Sequence, residues 1–150
     1  MNKSKLNLWT TLKDQATEAL ENGQQKLNAT RNELEQIHKT IEELSLIKTD
    51  YHPNKIVFSE NSVSIGQIQR NWNFVANIED AIRKTTEQKL LLKKKEREFH
   101  QICMNLEIEV QKYETLENRA LTNYKRAEVL NASKADDEIA ASYWMRTKID

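Results

Sequence analysis

The chain has 150 residues, 31% of them charged and 38% hydrophobic, with only two glycines and one proline. Apolar residues this sparse exclude helices covered on several sides and suit a narrow two-helix seam. Twenty-three basic side chains balance twenty-three acidic ones, which argues against nucleic acid as a partner, and the longest strictly apolar run, Leu90-Leu91-Leu92, is far too short to span a membrane.

The N-terminus, Met1-Asn2-Lys3-Ser4-Lys5, is basic but leads into alternating polar residues, unlike a signal peptide. A single cysteine, Cys103, excludes an internal disulfide and fits a reducing compartment. The expected location is the cytoplasm.

A first helix is predicted over 6–48. Its apolar seam reads Trp9, Leu12, Ala16, Ala19, Gly23, Leu27, Thr30, Leu34, Ile37, Ile41, Leu44, Lys48, Tyr51. Steps of three and four alternate, as a heptad seam requires, apart from two successive fours around Gly23 that read as one stutter. Gly23 falls inside the helix, where it costs roughly 1 kcal/mol relative to alanine.

The pattern then stops. Residues 49–67 contain Pro53, which disfavours helix at His52, and a turn-rich stretch ending at Gly66. This interruption predicts a fold-back, with Ile56, Val57 and Phe58 tucked against the hairpin they close.

A second helix is predicted over 68–130. Its seam is Ile68, Asn71, Val75, Ile78, Ile82, Thr85, Lys89, Leu92, Glu96, Phe99, Cys103, Leu106, Val110, Tyr113, Glu117, Ala120, Tyr124, Ala127. The polar exceptions gather between Thr85 and Glu96. A mirror about residue 59 sets them against Gly23 to Thr30, predicting a flexible waist. Asn131 to Ser133 reads as a weak point, and Asp136-Asp137-Glu138 as the acidic first turn of a separate terminal helix over 134–148. That segment carries Ile139, Ala140, Tyr143, Trp144 and Ile149, an apolar stripe on the part of the second helix expected to outrun the first. The fold expected is all-α, a long antiparallel two-helix coiled-coil hairpin whose C-terminal helix is the longer.

No catalytic, cofactor-binding or metal-binding constellation emerges. Neither glycine has a second one nearby, so no phosphate-cradling loop can form. His100 and Cys103 share a helical face, but two ligands do not make a site and Cys103 falls on the seam. Lys93-Lys94-Lys95-Glu96-Arg97-Glu98 is mixed in sign and reads as a solvated face. What remains is interaction surface, with Trp9, Trp72 and Trp144 near the start, the tip and the end. Trp72 and Phe74 lie off the seam, so at least one of them should face solvent or the loop.

Three motifs carry a resemblance. Leu12-Lys13-Asp14-Gln15-Ala16, then Phe74 through Ile82 with Asn77-Ile78-Glu79-Asp80-Ala81 at its centre, then Asp137-Glu138-Ile139-Ala140 followed by Met145-Arg146, resemble the flagellar FliJ proteins in order and spacing. These are small coiled-coil components of the flagellar type III export apparatus. The resemblance implies a hairpin similar to the central stalk of rotary ATPases, with no enzymatic activity of its own. Its implied partners are the hexameric export ATPase FliI, whose ring assembly it would promote, the cytoplasmic domain of the export gate FlhA, and export chaperones. It implies a location in the cytoplasm, peripheral at the inner membrane of the flagellar base. By position, the gate-binding surface would fall on Leu44, Tyr51, Phe74, Ile78 and Ala81. The ATPase-ring-facing part would fall on Leu12, Lys13, Asp14, Met145 and Arg146. Thr40, Ile47 and Thr85 stand where the family more typically carries an amide, a tyrosine and a histidine. The residues alone also admit the stalk of a virulence-type secretion system, or a free-standing coiled-coil adaptor or holding chaperone.

Overall fold

The computed structural model describes residues 2–52 and 64–149 and shows an all-α protein of two long helices packed against each other as a hairpin. The first, α1, runs Asn2–Asp50, and the second, α2, runs Ile65–Ile149, so the second is much the longer. The expected positions of Ile56, Val57 and Phe58 lie outside the described residues.

Local chemistry explains where the helices stop and start. The Tyr51 amide still donates to the Ile47 carbonyl at 3.0 Å, and regular helix ends just before Pro53, whose ring disfavours a helical His52. Ser64 caps α2. Its Oγ accepts from the Gln67 amide at 3.2 Å while its carbonyl already accepts from the Ile68 amide at 3.1 Å. Ser64 and Gln67 stand at capping-box spacing.

Contacts divide the helices into two compact units. Unit 1 comprises Met1–Asn22 and Cys103–Asp150; unit 2 comprises Gly23–Ile102. In unit 2, Arg31 pairs with Glu96 at 3.7 Å and Lys48 with Glu79 at 3.2 Å, so its two helices run antiparallel. Both pairs are centred between residues 63 and 64, not on residue 59. The displaced centre removes the basis for the waist. Glu96 lies beside Arg31, so the polar run from Thr85 to Glu96 faces α1 beyond Thr30 and does not meet the weak stretch from Gly23 to Thr30.

Every seam position expected in α2, from Ile68 to Ala127, is buried or half-buried. In α1 the seam differs in its first third. Ala19 is exposed whereas Leu20 is half-buried, and Lys13 as well as Leu12 turns inward. The steps through Trp9, Lys13, Ala16, Leu20, Gly23 and Leu27 then alternate strictly between four and three, and the stutter disappears. Apolarity alone favours Leu12 and Ala19. The geometry instead admits Lys13 because an acidic partner meets it in the seam.

Burial is shallow, as a two-helix seam must be. Ala16, Cys103 and Ala120 are buried in unit 1, and Leu27, Thr30 and Val75 in unit 2, where Val75 at 1% exposure is the largest fully enclosed side chain. Thr30 is 5% exposed, with its hydroxyl donating to the Lys26 carbonyl at 2.9 Å.

The break expected at Asn131 to Ser133, and the separate terminal helix after it, are corrected by α2, which passes through this stretch without interruption. Asn, Ser and Asp each lower helix propensity by only a fraction of about 0.7 kcal/mol, and neither glycine nor proline lies nearby to stop the helix. From Glu128 to Thr147 every residue is exposed.

Candidate functional site

In unit 2, the end of α1 and the start of α2 build an aromatic surface. Tyr51 meets Phe74 edge-to-face at 5.1 Å between ring centroids, and His52 meets Trp72 in the same manner at 5.4 Å. Such pairs are worth roughly 0.5–1.5 kcal/mol beyond their area. Beneath them Val75 is enclosed, and Lys48 with Glu79 ties the two helices at the flank. The rings remain accessible: Tyr51 and Trp72 are each 49% exposed and Phe74 is 40% exposed. Leu46, Ile47 and Ile65 add exposed aliphatic area nearby.

Of the residues expected at the gate surface, Tyr51 and Phe74 are in ring contact, while Leu44, Ile78 and Ala81 are half-buried along the seam behind them. Trp72 and His52 belong to the same surface although the sequence motif does not include them. Trp72 could be anticipated as an aromatic off the seam; His52 could not, because its ring partner is set by the fold-back. Just past the aromatic surface, Asp80 binds Arg83 at 2.6 Å and Lys84 at 3.1 Å, and these two cations hold its carboxyl below the usual carboxylate range. Of the departures from family pattern, Thr40 and Ile47 are exposed, whereas Thr85 is half-buried with its hydroxyl turned to the Ala81 carbonyl at 2.7 Å.

In unit 1 the expected ring-facing residues are not brought together. Leu12 and Lys13 face the seam and Asp14 faces outward. Lys13 Nζ donates to Glu117 Oε1 at 2.9 Å, with both side chains largely covered. That hydrogen bond raises the Lys13 ammonium above its ordinary pKa and lowers the Glu117 carboxyl. The nearby Thr10 hydroxyl lowers Glu117 further, but Glu117 Oε2 is buried without a hydrogen-bond partner among the described residues. One turn earlier Trp9 stacks against Tyr113 at 6.3 Å, with an interplanar angle of 26°. Met145 and Arg146 are exposed on α2, twenty-eight or more residues beyond Glu117, which at 1.5 Å per residue is about 42 Å along the helix. Between them stand Val129, Leu130, Ile139, Tyr143 and Trp144, all more than half exposed.

Among the described residues no group of three or more His, Cys, Asp or Glu side chains could hold a metal ion, and no helix is long and apolar enough to cross a membrane. Cys103 is a buried seam thiol and His100 beside it on the helix is exposed.

No curated protein and no solved structure matches the chain. The family model described as flagellar FliJ protein matches residues 7–148, taking in both helices, the aromatic surface of unit 2 and the exposed end of α2. The chain therefore belongs to the flagellar FliJ family, non-catalytic helical components of the flagellar export apparatus.

Proposed function

We propose that this protein couples the export ATPase to the membrane export gate at the flagellar base, on the cytoplasmic side, and assists ATPase hexamer assembly and the handling of export chaperones. The observation that carries the reading is the accessible aromatic surface formed by Tyr51, His52, Trp72 and Phe74, in a chain of this family. Half-exposed aromatics held in place by neighbouring rings are the side chains that most often dominate binding energy at interfaces, because little ordering remains to be done on docking. Leu44, Ile78 and Ala81 support them from the seam and serve as the floor of the surface. The end of α2, with Met145 and Arg146, is the proposed ring-facing part; Leu12 and Asp14 on α1 would be a separate contact, while Lys13 acts mainly through Glu117. A chain that binds only the assembled ring favours assembly by mass action.

The test separates the two surfaces. Trp72→Ala with Phe74→Ala weakens capture of the gate's cytoplasmic domain about tenfold or more and leaves stimulation of the export ATPase intact. Equal loss of both activities would overturn the assignment of the gate surface. Absence of any ATPase stimulation by saturating wild-type protein would overturn the coupling role.

A further inference from the structure

We infer that the Lys13–Glu117 pair is a clasp that, with the Trp9–Tyr113 stack, sets the register of the two helices in unit 1. Apart from the stacked Trp9 and Tyr113, the seam residues near the pair in sequence are small or interchangeable in kind: Ala16 and Ala120 are buried, and Leu12, Leu20, Leu116 and Leu121 are half-buried. A seam of alanines and leucines repeats itself every heptad, so a slipped pairing buries nearly as much apolar surface as the native one. Charge differs between registers, as does the Trp9–Tyr113 stack, which either slip would also break. A slip of one heptad toward the tip sets Lys13 against Val110 and Glu117 against Leu6; the opposite slip sets them against Tyr124 and Leu20. Either slip leaves a covered ammonium and a covered carboxylate facing side chains that cannot neutralise them.

Only the native register joins Nζ to Oε1 at 2.9 Å, with 29% and 17% of the two side chains exposed. Breaking a covered ion pair is far more costly than never having had one, which is why such a pair discriminates between registers while adding little net stability. Surface ion pairs of this chain such as Lys39–Glu35, both about two-thirds exposed, lack the cover needed for the same effect.

The experiment uses the full chain with Cys103→Ala and spin labels at Asn7→Cys and Glu107→Cys, both exposed sites of unit 1 separated along the helix axis. The distance distribution is single in this background. Lys13→Leu with Glu117→Leu keeps or raises the melting temperature but adds a population displaced by about 10 Å, the rise of one heptad. A folded double-leucine variant with the single original distance overturns the inference. Should the double-leucine variant fail to fold, Lys13→Glu with Glu117→Lys decides the matter. Recovery of the original distance supports the clasp, and failure to recover it in a folded chain overturns it.

Discussion

The stretch of α2 from Cys103 to Ala127 and the stretch from Glu128 to Thr147 are the same helix in two circumstances. In the first, every third or fourth side chain is covered; in the second, none is. The first owes its helix to an apolar seam, and the second to local propensity alone, uninterrupted by glycine or proline. Their composition is not the difference: Val129, Leu130, Ile139, Tyr143, Trp144 and Met145 give the terminal stretch apolar side chains in plenty. A covered stretch of helix and an exposed one are distinguished by cover, and cover determines how each responds to perturbation.

The largest contrast lies in hydrogen exchange. Amides between Cys103 and Ala127 exchange only through openings that disrupt packing, whereas those between Glu128 and Thr147 open locally and exchange orders of magnitude faster in the isolated protein. Equal protection of the two stretches, read by mass spectrometry, would remove the distinction.

Next in size is one substitution made on covered and uncovered surface. Leu27→Ala, at a site 6% exposed, destabilises by about 2–5 kcal/mol, while Leu130→Ala, at a site 56% exposed, stays within about 0.5 kcal/mol in chemical denaturation.

Acid should act on the partnered stretch first. The folded-state pKa of Glu117 is depressed, so its contribution to stability is present above the unfolded value and is lost as pH falls through the folded value, below the ordinary glutamate range. Lys13 is raised, so its contribution holds below the ordinary lysine pKa and is lost as strongly alkaline pH passes the folded value. Melting temperature followed from pH 7 downward therefore drops more in the wild type than in Glu117→Gln, as the carboxylate disappears from one protein and was never in the other. Parallel curves would mean that the pair contributes no pH dependence.

The smallest effect is at the start of α2. Gly66 lies in the first turn with helical backbone, and an added Cβ would meet nothing within 4 Å. Gly66→Ala therefore stabilises by about 0.5–1 kcal/mol in the same denaturation assay, a gain of propensity with no new contact.

The legibility of this molecule in its sequence follows the strength of its periodicity. The seam of α2 could be read at every position because charged residues crowd the intervening ones. The first third of α1 could not, because Lys13 looks like a surface residue until Glu117 is found beside it. Register was misplaced by a few residues since neither Arg31 nor Glu96 announces its partner, and a loop's length alone does not say where its flanking helices begin. Tyr51 and Phe74 were legible through family resemblance, whereas His52 and Trp72 join them only by virtue of the fold-back. The uninterrupted end of α2 was hidden by Asn131, Ser133 and Asp136, residues that favour caps but do not compel them.

Thr30 has a consequence for how dry this seam is. Its hydroxyl is occupied by the Lys26 carbonyl of its own helix, and Thr85 does the same with Ala81. Each hydroxyl is satisfied within its own helix and asks nothing of the neighbouring one. A hydropathy scale scores these positions as polar, yet they call for no ordered water and no cross-helix acceptor. The contact surface of this hairpin is thus more oily than its residue names suggest, and its true polar positions are those where a charge, not a hydroxyl, must be answered from the other side.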